Sequence, residues 1–139
     1  MSSSSNPSEK NDIIIIGGAS AALYTSRLGL RTLLITKDIG GQALTNSIEN
    51  YPAFEHIGGF ELMSKLERQA RVFGTEFIYE EVTSIVENSN DHHTNGFSVK
   101  TSSNKKYSTL AVILAFGKTP RDLNVPGEQG KRSVILCCL

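Results

Sequence analysis

A run of four isoleucines followed at once by two glycines constrains the fold more than any other feature of this chain. The continuous β-branched run at residues 13–16 is typical of a strand buried on both faces, and such strands belong to parallel sheets that helices cover. Gly17 and Gly18 then turn the chain, because glycine adopts backbone conformations that other residues avoid. We therefore expect a buried strand that ends in a tight turn.

The segments that follow predict a βαβ unit. Residues 20–28 predict a helix, with Ser20 near its start and Gly29 placed to end it, and residues 31–36 predict a second short apolar strand. A strand, a glycine turn, a helix and a strand in this order form a βαβ unit, whose crossover is right-handed.

The stretch from residue 39 to residue 59 has no clear periodicity, although it carries apolar side chains. A connector of this length inside a compact domain is usually functional or disordered. Its apolar residues Leu44, Ile48, Tyr51 and Phe54 favour an ordered loop.

The second half of the chain adds one helix and a change of sheet type. Residues 60–73 predict an amphipathic helix with Glu67, Arg68 and Arg71 on its solvated face, and residues 75–79 predict a third parallel strand. From residue 80 the pattern is antiparallel, with strands at 82–86, 96–101 and 105–110, and residues 111–115 predict a further, fully buried strand. The predicted fold class is therefore α/β, a parallel sheet with helices and a small antiparallel meander insert.

Composition narrows the function classes. The chain has 139 residues, which is one domain by length, and 14 Lys+Arg balance 14 Asp+Glu, which argues against an electrostatic grip on nucleic acid or an anionic membrane. Cys137 and Cys138 are adjacent, which fits neither a disulfide framework nor a zinc-ligand spacing, so we expect a reducing, cytoplasmic setting and no metal site. No apolar run is long enough to span a bilayer, and residues 1–11 predict a disordered tail.

The glycine turn matches part of a known phosphate-binding fingerprint. In G-x-G-x-x-G/A, the first glycine makes the turn, the second admits a pyrophosphate, and the third lets helix pack on strand. Gly17 and Ala22 fit this pattern, whereas Ala19 places a methyl where the second glycine belongs. The position between a strand and a helix favours dinucleotide binding, although a glycine turn that serves only packing is the alternative.

The same fingerprint predicts an acceptor for ribose hydroxyls at the end of the second strand. That place holds Thr36, Lys37 and Asp38. Thr36 or Asp38 could accept from the ribose, and a solvated turn is the alternative. Lys37 could instead favour a 2′-phosphate, which keeps a nicotinamide cofactor open.

Several segments together carry a family resemblance. They are DIIIIGGASAA at 12–22, GGQ at 40–42, ENYP at 49–52, GFELM at 59–63, AFGKTPR at 115–121 and PGE at 126–128. In this order and spacing the chain resembles the N-terminal FAD-binding portion of low-molecular-weight thioredoxin reductases, in the pyridine nucleotide-disulfide oxidoreductase family. The resemblance implies an incomplete Rossmann-like FAD/NAD(P)-binding domain at 12–130 and a divergent tail at 131–139.

The resemblance also implies roles for individual residues. Those along the FAD pyrophosphate would be Gly17, Gly18, Ser20 and Ala21. Thr36 would lie near the adenosine ribose, and Val82 would border the adenine. Gly41, Gln42 and Asn50 would serve the ribityl and flavin region, and the turn from Ala115 to Gly117 would pass close to the cofactor.

The chain also departs from the family pattern. Ala19 replaces the second glycine and Phe116 replaces a threonine, so both positions carry more bulk. The family continues into an NADPH-binding domain with a redox C-x-x-C pair, whereas this chain stops at Leu139 and its cysteines are adjacent. We therefore expect an apparently truncated, FAD-binding part of an oxidoreductase, with no catalytic residue of its own and no complete turnover from NADPH to a protein disulfide.

Two other functions stay open at this point. A noncatalytic, cofactor-free interaction module is favoured by the bulk of Ala19 and Phe116, and an NAD(P)-binding domain is favoured by Lys37. The partners that the resemblance implies are FAD, a thioredoxin-like protein or a partner chain, and a second copy in a homodimer.

Overall fold

The computed structural model describes residues 11–88 and 96–117. The predictions for the rest of the N-terminal tail, for Lys118 onward and for Cys137 and Cys138 lie outside the described residues. The strands and helices are β1 (Asn11–Gly17), α1 (Ala19–Arg27), β2 (Thr32–Thr36), α2 (Gly59–Val72), β3 (Glu76–Tyr79), β4 (Val82–Glu87), β5 (Phe97–Thr101) and β6 (Lys106–Ala115), with a 3₁₀ turn at Gly41–Ala43. The first strand thus begins at Asn11, the last residue of the predicted tail.

One six-stranded sheet has the order β3-β2-β1-β6-β5-β4. The pairs β3–β2, β2–β1 and β1–β6 are parallel, and the pairs β6–β5 and β5–β4 are antiparallel. The α/β class with an antiparallel meander is therefore confirmed, and the arrangement is Rossmann-like. The meander continues the same sheet because β6 is long enough to pair with β1 and β5 at different places along its length.

The first strand is buried on both faces, as its isoleucine run predicts. On one face Ile13 and Ile15 pack against α1 and α2 through Ala22 and Ala70. On the other face Ile14 packs against β2 and against Val99 of β5, so the meander covers the side that the helices leave open. The core residues of the two faces are Ile13, Ile15, Ala22, Leu34 and Ala70, and Ile14, Leu33, Ile35 and Val99.

The long connector between β2 and α2 is ordered, as its apolar residues predict. Ile48 and Ile57 form an antiparallel bridge with backbone hydrogen bonds of 2.8 and 3.1 Å. Ile57 is buried with Leu62 and Leu66 of α2, and Phe54 packs against the same cluster. The connector is thus fastened to the helix that follows it.

The prediction of a separate, fully buried strand at 111–115 is wrong. These residues form the C-terminal half of β6, in which Leu114 is 58% exposed and only Val112 and Ile113 are partly buried. The reason is pairing: β1 lies along this half of β6, whereas β5 pairs only with the half before Leu110. Within the described part of the chain, the other edge of residues 110–115 has no strand beside it.

The prediction of a solvated face on α2 holds for Arg68 and Arg71, which are exposed, whereas Glu67 is half-buried. Glu67 accepts hydrogen bonds from the hydroxyl of Tyr79 and from Nε of Arg71, the latter at 2.8 Å. The guanidinium of Arg71 lies 4.4 Å from the centre of the Phe77 ring. These contacts fasten α2 to β3, which is an edge strand of the sheet. Among the described residues, no helix is both long and apolar enough to cross a bilayer.

Candidate functional site

The turn between β1 and α1 has the geometry that its two glycines allow. Gly17 and Gly18 adopt φ angles of 75° and 63°, in the left-handed region that favours glycine. A Cβ atom on Gly17 would lie 2.5 Å from the carbonyl oxygen of Ala115, so the turn runs directly against the end of β6. Any larger residue at this position would force the two strands apart.

The N-terminus of α1 is open to an anion. Gly18 is its N-cap residue, no side chain caps the helix, and its first turn carries no acidic residue. The amide of Ala22 donates to the carbonyl of Gly18 at 3.2 Å, so the amides before it have no partner within the helix. Free amides and the positive end of the helix dipole favour a phosphate at this position.

The extra methyl of Ala19 is tied into the core. Ala19 is half-buried and packs against the cluster under α1 and against the cluster of Ile57, Leu62 and Leu66. The methyl therefore helps to join α1 to α2 and the connector, although the residue also lines the cleft described below.

The end of β2 leads into a hydrogen-bonded link. The hydroxyl of Thr36 donates to the carbonyl of Asp38, and the carboxylate Oδ1 of Asp38 accepts from the amide of Gly41 at 3.0 Å. The two side chains predicted as ribose acceptors thus bond to backbone groups of their own loop. Each keeps acceptor capacity on its oxygen atoms for a ligand.

The 3₁₀ turn at Gly41–Ala43 packs tightly against α2. A Cβ atom on Gly59 would lie 1.8 Å from the carbonyl oxygen of Ala43, so only glycine lets the helix begin here. Gly40 has a φ of 115°, and a Cβ on it would lie 2.8 Å from Leu44 and 2.9 Å from Met63. Gly40 and Gly59 therefore let the turn and the helix pack closely.

The opposite rim is fixed by Glu80. Its carboxylate accepts from Ser103 at 2.6 Å and from Nζ of Lys105 at 3.4 Å. Hydrogen bonds from Ser103, then from Thr101 and Lys105, outweigh desolvation and lower the pKa of Glu80 below its ordinary value. The turn between β5 and β6 thereby holds the segment that leads into Val82.

The glycine turn before α1, the 3₁₀ turn at Gly41–Ala43 and the segment that begins at Glu80 surround one cleft. Its volume is about 980 Å³, and it lies at the carboxyl ends of β1, β2 and β6. This volume lies near the upper end of the usual range of small-molecule sites, which suits a ligand as long as a dinucleotide. A crevice at the carboxyl edge of a parallel sheet is where Rossmann-like folds bind ligands. The predicted site residues that line it are Gly17, Gly18, Ser20, Thr36, Gly41, Gln42, Val82, Ala115 and Gly117.

Two predicted site residues lie elsewhere. Ala21 has one of the first amides of α1, but its side chain packs into the core cluster under that helix and does not line the cleft. Asn50 lies exposed in the connector and does not line the cleft. Phe116, the bulky departure from the family pattern, lines the cleft with 71% of its surface exposed.

The sequence interpretation missed part of the lining. Glu80 and Glu81 follow β3 directly, so their place at the end of a parallel strand could have indicated the cleft. Met63 and Leu66 belong to the apolar stripe of α2, and nothing in that stripe distinguishes residues that reach the cleft. The other missed residues are Ile16, Leu34, Ile35, Ile39, Gly40, Ala43, Thr83, Ser84 and Ile85.

Comparison with known proteins agrees with the fold. The family model described as "Pyridine nucleotide-disulphide oxidoreductase" matches residues 11–136. The chain is 40% identical over 136 residues to a thioredoxin reductase of Bacillus subtilis, covering 92% of this chain and 41% of that protein. It is 42% identical over 124 residues to a thioredoxin reductase of Treponema pallidum, covering 84% of this chain and 38% of that protein.

A solved structure gives the same result. The thioredoxin reductase of Lactococcus lactis superposes with a TM-score of 0.74 at 37% identity, over 85% of this chain and 39% of that one. The chain therefore spans about two fifths of the length of the relatives it matches. The family match covers most of this sequence, and the chain belongs to the pyridine nucleotide-disulphide oxidoreductase family.

Proposed function

We propose that this chain binds FAD in the cleft, with the pyrophosphate at the N-terminus of α1. The observation that carries the proposal is the uncapped helix end behind Gly17 and Gly18, at the carboxyl edge of the sheet. The absence of an acidic residue from the first turn of α1 leaves its positive end available to phosphate. The cleft fits such a ligand in size.

The residues around the cleft divide between the two halves of the dinucleotide. Next to the pyrophosphate we place the turn residues and the first amides of α1, at Gly17, Gly18, Ser20 and Ala21. Thr36 would serve the adenosine ribose and Val82 the adenine. The flavin half would lie along Gly41 and Gln42, with Ala115 and Gly117 near it. Asn50 would support that half only from outside the cleft lining.

The activity of the whole protein is part of the same proposal. Bound FAD would supply electron transfer between a hydride donor and a disulfide. The names of the relatives support a thioredoxin-like protein as the acceptor. NADPH as the donor and a homodimer as the assembly are further parts of the proposal, which the family resemblance implies. The cysteine usage supports a reducing, cytoplasmic setting. The role of the described residues is to bind and orient the cofactor and to exclude water from it.

A charge placed at the helix end tests the phosphate site. Ser20 is exposed in the first turn of α1, so Ser20→Glu puts a carboxylate where the pyrophosphate would lie. We expect this variant to lose FAD affinity by roughly tenfold or more, through like-charge repulsion, while it keeps its melting temperature because an acid suits a helix N-terminus. The neutral Ser20→Gln is the matched control and should bind FAD much more tightly than Ser20→Glu.

Calorimetric titration of FAD and of NADP⁺ into the three proteins separates the functions. Equal FAD affinity in Ser20→Glu and Ser20→Gln would contradict the phosphate site. Binding of NADP⁺ in place of FAD would favour a nicotinamide-binding domain, which Lys37 beside the cleft would then explain. Binding of neither would favour an interaction module.

A further inference from the structure

Asp38 joins the end of β2 to the 3₁₀ turn of the cleft. Its Oδ1 accepts from the amide of Gly41 at 3.0 Å, and its backbone carbonyl accepts from the hydroxyl of Thr36. Both contacts lie within the loop, so they fix the distance between the end of β2 and the turn. A hydrogen bond to a carboxylate is stronger than one between neutral groups.

The turn has separate supports on its two sides. On the side of α2, Gly40 lies so close to Met63 that a Cβ on it would come within 2.9 Å, and the amide of Gly59 donates to the carbonyl of Thr45 at 2.9 Å. On the side of β2 the carboxylate of Asp38 contacts the first amide of the turn. Loss of that carboxylate would release the amide of Gly41, while the contacts of the turn with α2 would stay in place.

We propose that Asp38 is a positioning residue, which holds the Gly41–Ala43 turn for the half of the ligand remote from α1 and does not bind the ribose. The inference rests on the proposed binding of FAD. The adenosine half would lie along α1, Thr36 and Val82. The carboxylate of Asp38 holds the Gly41–Ala43 turn and none of these three. Loss of the Asp38 carboxylate should therefore lower the affinity for the whole dinucleotide and change the affinity for its adenosine half little.

The affinities of FAD and of ADP test this division in Asp38→Ala and Asp38→Asn. Asparagine keeps a carbonyl oxygen that accepts from Gly41, whereas alanine removes the acceptor. We expect Asp38→Ala to weaken FAD about tenfold and ADP less than about twofold, and Asp38→Asn to bind both nearly as the natural chain does. Glu55→Ala, which removes an exposed acid outside the cleft lining, is the control for net charge.

Amide hydrogen exchange of the ligand-free chain gives a second readout. Asp38→Ala should speed exchange of the Gly41 amide roughly tenfold, because its hydrogen bond is lost, while the amides of β1 exchange as before. Unchanged exchange at Gly41 would overturn the inference, and so would equal weakening of FAD and ADP, which would make Asp38 a ribose contact. Failure of the natural chain to bind FAD would overturn both the proposed function and this inference, whereas intact FAD binding by Asp38→Ala would overturn the inference alone.

Discussion

Two glycines with the same backbone conformation have different reasons to be glycine. Gly17 and Gly29 have φ angles of 75° and 81°, but a Cβ would meet the backbone of Ala115 at Gly17 and nothing within 4 Å at Gly29. The sequence predicted a turn at the first position and a helix end at the second. The contact that distinguishes them joins Gly17 to Ala115, which lie far apart in the chain. The local sequence around Gly17 therefore does not predict this contact.

This difference gives a prediction about stability. Gly29→Ala should lower the free energy of unfolding by about 1–2 kcal/mol, which is the cost of a left-handed backbone alone. Gly17→Ala should lower it by roughly 2–5 kcal/mol, because crowding against the carbonyl of Ala115 adds to the same cost. Urea unfolding of both variants measures the difference, and equal losses would contradict the close approach of β1 and β6.

At the scale of the element, the apolar pattern of the sequence predicts where helices and strands form, but not which strands pair. The helices α1 and α2 and the first three strands follow from apolar runs and from stop signals such as Gly29 and Gly74, which the structure places at positive φ. The burial of residues 111–115 does not follow from their apolar run, because it depends on which strand lies beside them. The contact of Glu67 with Tyr79 also depends on which strand lies beside α2, so helical spacing did not predict it.

The link between α2 and β3 predicts an acid-dependent stability. Burial alone would raise the pKa of Glu67, but hydrogen bonds from Tyr79 and Arg71 outweigh it and lower the pKa below its ordinary value of 4.5. Since the folded pKa is depressed, the stabilisation is present above the unfolded value and is lost as the pH falls through about 4.5 and below. Glu67→Gln should therefore show a smaller fall in melting temperature than the natural chain between pH 6 and pH 3.

A second glutamate on the same helix is the control for that experiment. Glu61 pairs with Lys65 one turn away and makes no contact with β3 among the described hydrogen bonds and ion pairs. Glu61→Gln should lose melting temperature on acidification much as the natural chain does. An acid slope that is the same in Glu67→Gln and in the natural chain would show that the link contributes nothing to pH-dependent stability.

At the scale of the whole molecule, the half of β6 that, within the described ranges, lacks a partner strand on one side exposes apolar side chains. Leu110, Leu114 and Phe116 are 53%, 58% and 71% exposed, beside an edge that no strand of the described residues covers. Open strand edges with apolar side chains promote association between chains. The fold class and the carboxyl-edge cleft were predictable from the sequence, whereas this edge became visible only with the sheet order.

The exposed edge predicts concentration-dependent self-association of the isolated chain. Leu114→Thr introduces a β-branched residue, which strands favour, and removes apolar surface, so it should weaken self-association with little change in melting temperature. Leu28→Thr is the matched control, because Leu28 is 79% exposed at the end of α1 and lies outside β6. Sedimentation velocity over a range of concentrations measures the effect, and equal behaviour of the two variants would contradict a role for the β6 edge.

Flavin retention tests the central proposal most directly. The natural chain is mixed with excess FAD, desalted, and its visible absorption is recorded together with its melting temperature. We predict a flavin band that stays with the protein and a melting temperature that rises with FAD concentration, since a ligand that binds only the folded state stabilises it. A colourless protein after desalting, with a melting temperature that FAD does not change, would contradict the proposal that this cleft binds FAD.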